Sequence, residues 1–152
     1  RHSRRLHDRT GPLDVPLDLV VDSDPDPLDL AFLEEQLATA AVDALGIGAE
    51  RDFAILFRDR GRLAAGVSGT IWGGCCQVHV LWVEEELRGR GLARTLMSGA
   101  EAEAKRQGCR LLMGLAYEVL TSDFYDRLGY SVVGEIDDCP AGTTTRWYRK
   151  DL

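Results

Sequence analysis

The 152-residue sequence predicts a single α/β (α+β) domain with a mixed central sheet of about seven strands flanked by helices. Two observations lead there. Hydrophobic spacing switches repeatedly between a helical and an alternating period, in the order strand, helix, three strands, helix, strand, helix, two strands. The length suits one core, and 45% hydrophobic with 28% charged residues is ordinary for a globular chain.

Each element follows from local signals. Residues 1–12, RHSRRLHDRTGP, carry four Arg against one Asp and read as a flexible basic leader, native or left over from cloning; residues 13–152 form the domain. LDLVVDSD (17–24) reads as a short strand. In DPDP, Asp26 is placed to cap a helix with Pro27 in its first turn. That helix runs to about Leu45, with Leu30, Phe32, Leu33, Leu37 and Ala41 at helical spacing and Gly46 and Gly48 as its stop.

From Asp52 the period changes. FAILFRD, RLAAGVSGTIW and CCQVHVLWV are strand-like runs whose Gly-bearing turns are too short for a helical crossover, so they form an antiparallel meander. Leu92 to Gln107 is the second long helix, with Leu92, Leu96, Ala100 and Ala104 on one face and Gly108 as its stop. CRLLMGLAY (109–117) suits a buried strand. SDFYDRLG is a short helix capped by Ser122, YSVVGEI a strand, DDCPAG a turn and TTTRWYRK the final strand.

Composition narrows the function classes. The formal net charge is −7, and the chain beyond the basic leader is more acidic still, so nucleic acid is not an expected partner. No apolar run reaches the ~20 residues of a membrane-spanning helix, and no apolar signal-peptide centre is present, so the expected location is cytoplasmic, with no membrane partner. Cys75, Cys76, Cys109 and Cys139 lack C-x-x-C spacing, and His79 is the sole histidine beyond the leader, which supports neither a metal site nor a disulfide framework. Buried thiols in a reducing compartment are expected.

The segment EELRGRGLARTL (85–96) carries the chemistry. A strand ending at Val83, a Gly-rich turn and a helix make an anion site, because the first helical N–H groups lack intrahelical partners and glycines admit phosphate to the backbone. Arg88, Arg90 and Arg94 add charge. A Walker loop is weakened, since no Lys follows either glycine, and so is a dinucleotide fingerprint, since Arg94 stands where a third Gly is needed. A plain turn with a solvated arginine face is the other reading of the segment alone.

In its surroundings, LWVEEELRGRGLA resembles the acetyl-CoA loop of the GNAT superfamily of N-acetyltransferases, whose pattern [RQ]-x-x-G-x-[GA] is filled by Arg88, Gly91 and Ala93. Downstream, DFYDRLGYSVVGE (123–135) is similar to the family's second signature, a short Tyr-bearing helix followed by Leu-Gly-aromatic. The likeness runs from about Phe53 to the C-terminus.

The resemblance implies acetyl-CoA as cosubstrate and an acyltransferase activity. The backbone of Arg88, Gly89, Arg90, Gly91, Leu92 and Ala93, continuing to Arg94, would hold the pyrophosphate. Leu81, Trp82 and Val83 would pair with the pantetheine arm, and Tyr125 would be the acid that protonates the leaving thiolate. Relatives often carry a Glu near Gln77; glutamine cannot act as a base. That departure promotes His79, an imidazole suited to proton transfer near neutral pH, and Glu118, which replaces a frequent Asn and would serve as a base or as a ligand for a cationic substrate. Period-two spacing puts residues 75, 77, 79, 81 and 83 on one face.

The implied reaction is transfer of acetyl to a primary amine of a small molecule, by direct attack in a ternary complex. The acidic surface suits a cationic acceptor. Acetylation of a protein lysine or N-terminus, and a non-catalytic CoA-binding module, remain as alternatives, and a homodimer is left open.

Overall fold

The computed structural model describes residues 4–6 (backbone only), 19–121 and 123–152. Its contacts divide the chain into two units, Arg1–Leu45 and Gly46–Leu152.

In the first unit, β1 (Arg4–Leu6) pairs antiparallel with β2 (Leu19–Val21), in register Arg5 to Val20. The strand expected at 17–24 is therefore present over 19–21, but in a two-stranded ribbon and outside the main sheet. Of the expected leader, 1–3 and 7–12 lie outside the described residues. Helix α1 (Pro27–Leu45) starts as its sequence dictates: the Asp26 carboxylate accepts the Leu28 N–H at 2.9 Å, satisfying one of the donors a helix leaves open.

The second unit holds a six-stranded mixed sheet in the order β3-β4-β5-β6-β8-β7, against about seven strands expected; β2 accounts for the difference. β3 (Arg51–Asp59), β4 (Arg62–Trp72) and β5 (Cys75–Val83) are the antiparallel meander. β6 (Leu111–Tyr117) then runs parallel to β5, which requires a crossover, and α2 (Leu92–Arg106) supplies it. β6 pairs with β8 (Thr145–Asp151), and β8 with β7 (Ser131–Ile136) at the edge. Two one-turn helices, α3 (Glu118–Thr121) and α4 (Phe124–Arg127), join β6 to β7. Ser122, expected to cap the second of them, lies outside the described residues.

The core forms where α2 meets β4 and β5. Ala100 and Ala104 are fully buried on α2, and their small side chains let the helix approach Ala65, Val67, Ile71 and Cys76 closely. Met97 and Leu112 fill the remaining space, each worth about 1.5–3 kcal/mol of transfer free energy on burial. The expectation of buried thiols holds for Cys76 and Cys109; Cys75 is half-buried and Cys139 exposed.

One irregularity positions the site. The β4–β5 register passes from Gly69–Val78 to Ser68–Val80, so His79 is an extra residue, a β-bulge. A Cβ at position 69 would overlap the Gln77 carbonyl oxygen, so only glycine permits this approach. The bulge shifts the alternation by one residue. Cys76 and Val78 before it share the α2 face with Leu81 and Val83 after it, paired with Val67 and Ala65. The expectation that 75, 77, 79, 81 and 83 share a face is therefore wrong beyond the bulge.

Candidate active site

β5 and β6 pair only from Cys75–Leu111 to Val78–Gly114. Beyond that point they part, and the gap is a cleft of about 570 Å3 with His79 to Val83 on one wall and Leu115 to Tyr117 on the other. Leu120, Thr121, Phe124 and Tyr125, from α3 and α4, close it. The backbone edge of β5 after Val78 faces the gap without a partner strand, so its polar groups are open to an extended ligand.

At the end of the cleft the chain turns through a 3-10 segment, Glu85–Leu87, into α2. Glu84 anchors this turn through a bidentate pair with Arg62 at 2.6 and 2.9 Å. Arg88 anchors it again, its Nε donating to the Val83 carbonyl at 3.0 Å. Gly89 and Gly91 have φ of 72° and 82°, a region costly for other residues, and open space lies where a Cβ would stand on either. Among the described residues no acceptor meets the N–H groups of residues 89–94, and Gly91 caps α2 without a side-chain hydrogen bond. These orphan donors, with the helix dipole, border a second cavity of about 390 Å3 that shares Val83, Arg88, Ala93 and Phe124 with the cleft.

This donor set suits a phosphorylated ligand with a long arm. The second cavity presents unpartnered N–H groups, Arg88 and Arg94, and the cleft presents the open edge of β5.

Tyr125 is 8% exposed and lines the cleft. Its ring stacks on Tyr148 at 4.7 Å and meets Tyr130 edge-on at 5.6 Å, which fixes its orientation. Burial, and next the neighbouring Tyr148, hold its phenol above the ordinary tyrosine value, so it keeps its proton at neutral pH. Tyr130 is structural. Its hydroxyl donates to Glu101 at 2.9 Å, and Lys150 binds the same carboxylate at 2.9 Å and the Leu128 carbonyl at 2.9 Å. The end of α4 is thereby tied to α2 and β8.

The structure thus gathers His79, Leu81, Trp82, Val83, Arg88, Ala93 and Tyr125 around one cleft, and Gly89, Gly91, Leu92 and Arg94 around the adjoining cavity. Arg90 lines neither. His79 stands at the bulge, with the Thr70 hydroxyl 3.4 Å from its Nε2. Glu118 is not brought to the cleft: its carboxylate pairs with Arg146 at 3.1 Å, beside a separate hollow lined by Asp138 and Thr144. Sequence reasoning missed Phe124 and Arg127 in the cavity wall and Thr70 beside His79. Gly69, a glycine inside a strand, was the available signal for the bulge.

The model of the acetyltransferase (GNAT) family matches residues 18–130, most of the chain. The chain belongs to this family. The match starts upstream of Phe53, where the sequence resemblance first became legible. Membership makes the chain an acetyltransferase, with acetyl-CoA as cosubstrate. Blasticidin-S acetyltransferase of Streptomyces morookaense is 35% identical to this acetyltransferase over 95 residues, covering 62% of this chain and 70% of the relative.

Among solved structures, a candidate acetyltransferase of Agrobacterium tumefaciens superposes with a TM-score of 0.83 at 24% identity, covering 90% of this chain and all of that one. Aminoglycoside 6′-N-acetyltransferase complexed with coenzyme A gives 0.59 at 18% identity, covering 82% and 86%. These two likenesses concern the fold alone. Among the described residues no helix is long and apolar enough to cross a membrane, and no cluster of His, Cys, Asp or Glu could hold a metal ion.

Proposed function

We propose that this acetyltransferase acetylates a primary amine of a cationic small molecule by direct attack in a ternary complex. The observation that carries the reading is the parting of β5 and β6 into a cleft that meets the orphan N–H groups of α2 at one end and has Tyr125 in its wall. The small-molecule acceptor is supported by the relative named for blasticidin-S, and a positive charge on it by the chain's net charge of −7.

Acetyl-CoA supplies an acyl group already activated as a thioester. The N–H groups of residues 89–94 and Arg94 bind its phosphates, and the open edge of β5 orients the arm, so much of the rate gain comes from positioning. N–H groups on that edge also stabilise negative charge developing on the acetyl oxygen. Tyr125 donates its proton to the departing sulfur, and His79 accepts one from the amine, directly or through water.

Direct transfer is supported by the thiols. Among the described residues no cysteine lines the cleft, and burial, helped by neighbouring Cys109 and Cys75, pushes the Cys76 thiol up to about 12, away from the thiolate form. Glu118 is less well placed than His79 to take a proton in the cleft, since Arg146 holds its carboxylate beside a separate hollow.

The test is release of free thiol from acetyl-CoA against a panel of amines. Release that depends on a small polyamine or aminoglycoside supports the reading; tight CoA binding with no amine-dependent release identifies a binding module. With a productive amine, His79→Gln lowers kcat by about tenfold to a hundredfold. An unchanged kcat removes His79 as the base.

A further inference from the structure

The walls of the 390 Å3 cavity differ in a way that the pyrophosphate alone does not use. One wall is the loop and first turn of α2, with the orphan N–H groups of residues 89–94, Arg88 and Arg94. Another part of the lining comes from α4 and its C-cap, where Phe124 and Leu128 are apolar and Arg127 is the single cation. No acidic residue lines either wall among the described residues.

We propose that Arg127 binds the 3′-phosphate of CoA, and so selects CoA over its 3′-dephospho form. The inference rests on the acetyl-CoA reading above. CoA carries two phosphate centres separated by a ribose ring, so one set of N–H groups cannot serve both. The α2 wall, rich in backbone donors, accounts for the pyrophosphate. The 3′-phosphate is a monoester carrying about −1.5 to −2 at neutral pH, and it needs a counter-charge of its own. Arg127 is the cation that α4 brings to this cavity, and a guanidinium can grip a phosphate through two parallel hydrogen bonds.

Arg127 is also available at low cost. Its partner in the structure is Asp123, Nη2 to Oδ1 at 3.2 Å across one helical turn, with the side chains 63% and 61% exposed. Exposed pairs of this kind contribute little, so the guanidinium can turn toward a phosphate without disturbing the fold. Arg127 shares the single turn of α4 with Tyr125.

The deciding experiment is calorimetric titration of the full chain with CoA and with 3′-dephospho-CoA, for the wild type, Arg127→Gln and Arg127→Lys. The wild type should bind CoA about tenfold to a hundredfold more tightly than the dephospho form, the range of one charge-assisted contact. Arg127→Gln should bring the two within about twofold by weakening CoA alone, and Arg127→Lys should keep part of the preference. Steady-state kinetics should show KM for acetyl-CoA rising in Arg127→Gln with kcat at saturation within about threefold. Equal weakening of both ligands, or of neither, overturns the assignment to the 3′-phosphate while leaving the acetyl-CoA reading intact. A wild type that binds neither ligand overturns both. Thermal melting of Arg127→Gln should match the wild type, which excludes misfolding as the cause of any loss.

Discussion

β5 and β6 begin as ordinary neighbours and end as the two walls of a cleft. From Cys75 to Val78 they exchange parallel ladder hydrogen bonds, and Cys76, Val78 and Leu112 are buried against α2. From His79 onward the ladder stops, and His79, Val80, Trp82, Leu115 and Tyr117 are exposed along the opening. The same two strands thus spend one half on stability and the other on a binding edge. The bulge at His79 sits at the change-over.

If the halves have these separate roles, substitutions should divide accordingly. The largest effect is expected in the open half. Tyr125→Phe should lower kcat by about 10²–10⁴, the usual value of a general acid, with CoA affinity within about threefold. Stopped-flow thiol release and calorimetry check it, and an unchanged kcat removes Tyr125 as the acid. Because burial holds its phenol above the ordinary value near 10, the proton-donating form is fully present below that pH and is lost only above it. The kcat profile should therefore show no alkaline fall before about pH 10 that Tyr125→Phe abolishes.

In the paired half the effect should be on stability. Leu112→Ala deletes a side chain 1% exposed and should cost about 2–5 kcal/mol in urea unfolding, while the folded fraction keeps its kcat. A kcat that falls with stability intact would reverse the assignment of roles. The smallest effect is expected outside both halves: Glu118→Gln, in the separate hollow beside Asp138 and Thr144, should leave kcat within about twofold. A loss of tenfold or more would restore Glu118 as a base.

Much of this frame was legible because its signals are local. The Asp26 cap, the apolar face of α2 and the Gly-rich loop after Val83 each declare themselves within a few residues, and the structure forms all three. What failed depends on distant partners. The strand near residue 20 was recognised, but its pairing with Arg4–Leu6 gives no pattern in either segment, so it was assigned to the main sheet. Period two was right for β5 up to Val78 and wrong after it, because one inserted residue reverses every later side chain. Glu118 was noted as a Glu where relatives often carry Asn, yet Arg146, from a strand far along the chain, holds its carboxylate. Arg127 reads as an ordinary surface helix charge until the fold brings it to the same cavity as the loop.

The division of β5 and β6 is tested most directly by amide hydrogen exchange with and without CoA. The account predicts new protection at residues 79–83 and 89–94, with 75–78 and 111–114 already protected and unchanged. Protection that appears equally along both strands, or that spares 79–83 and 89–94, would contradict it.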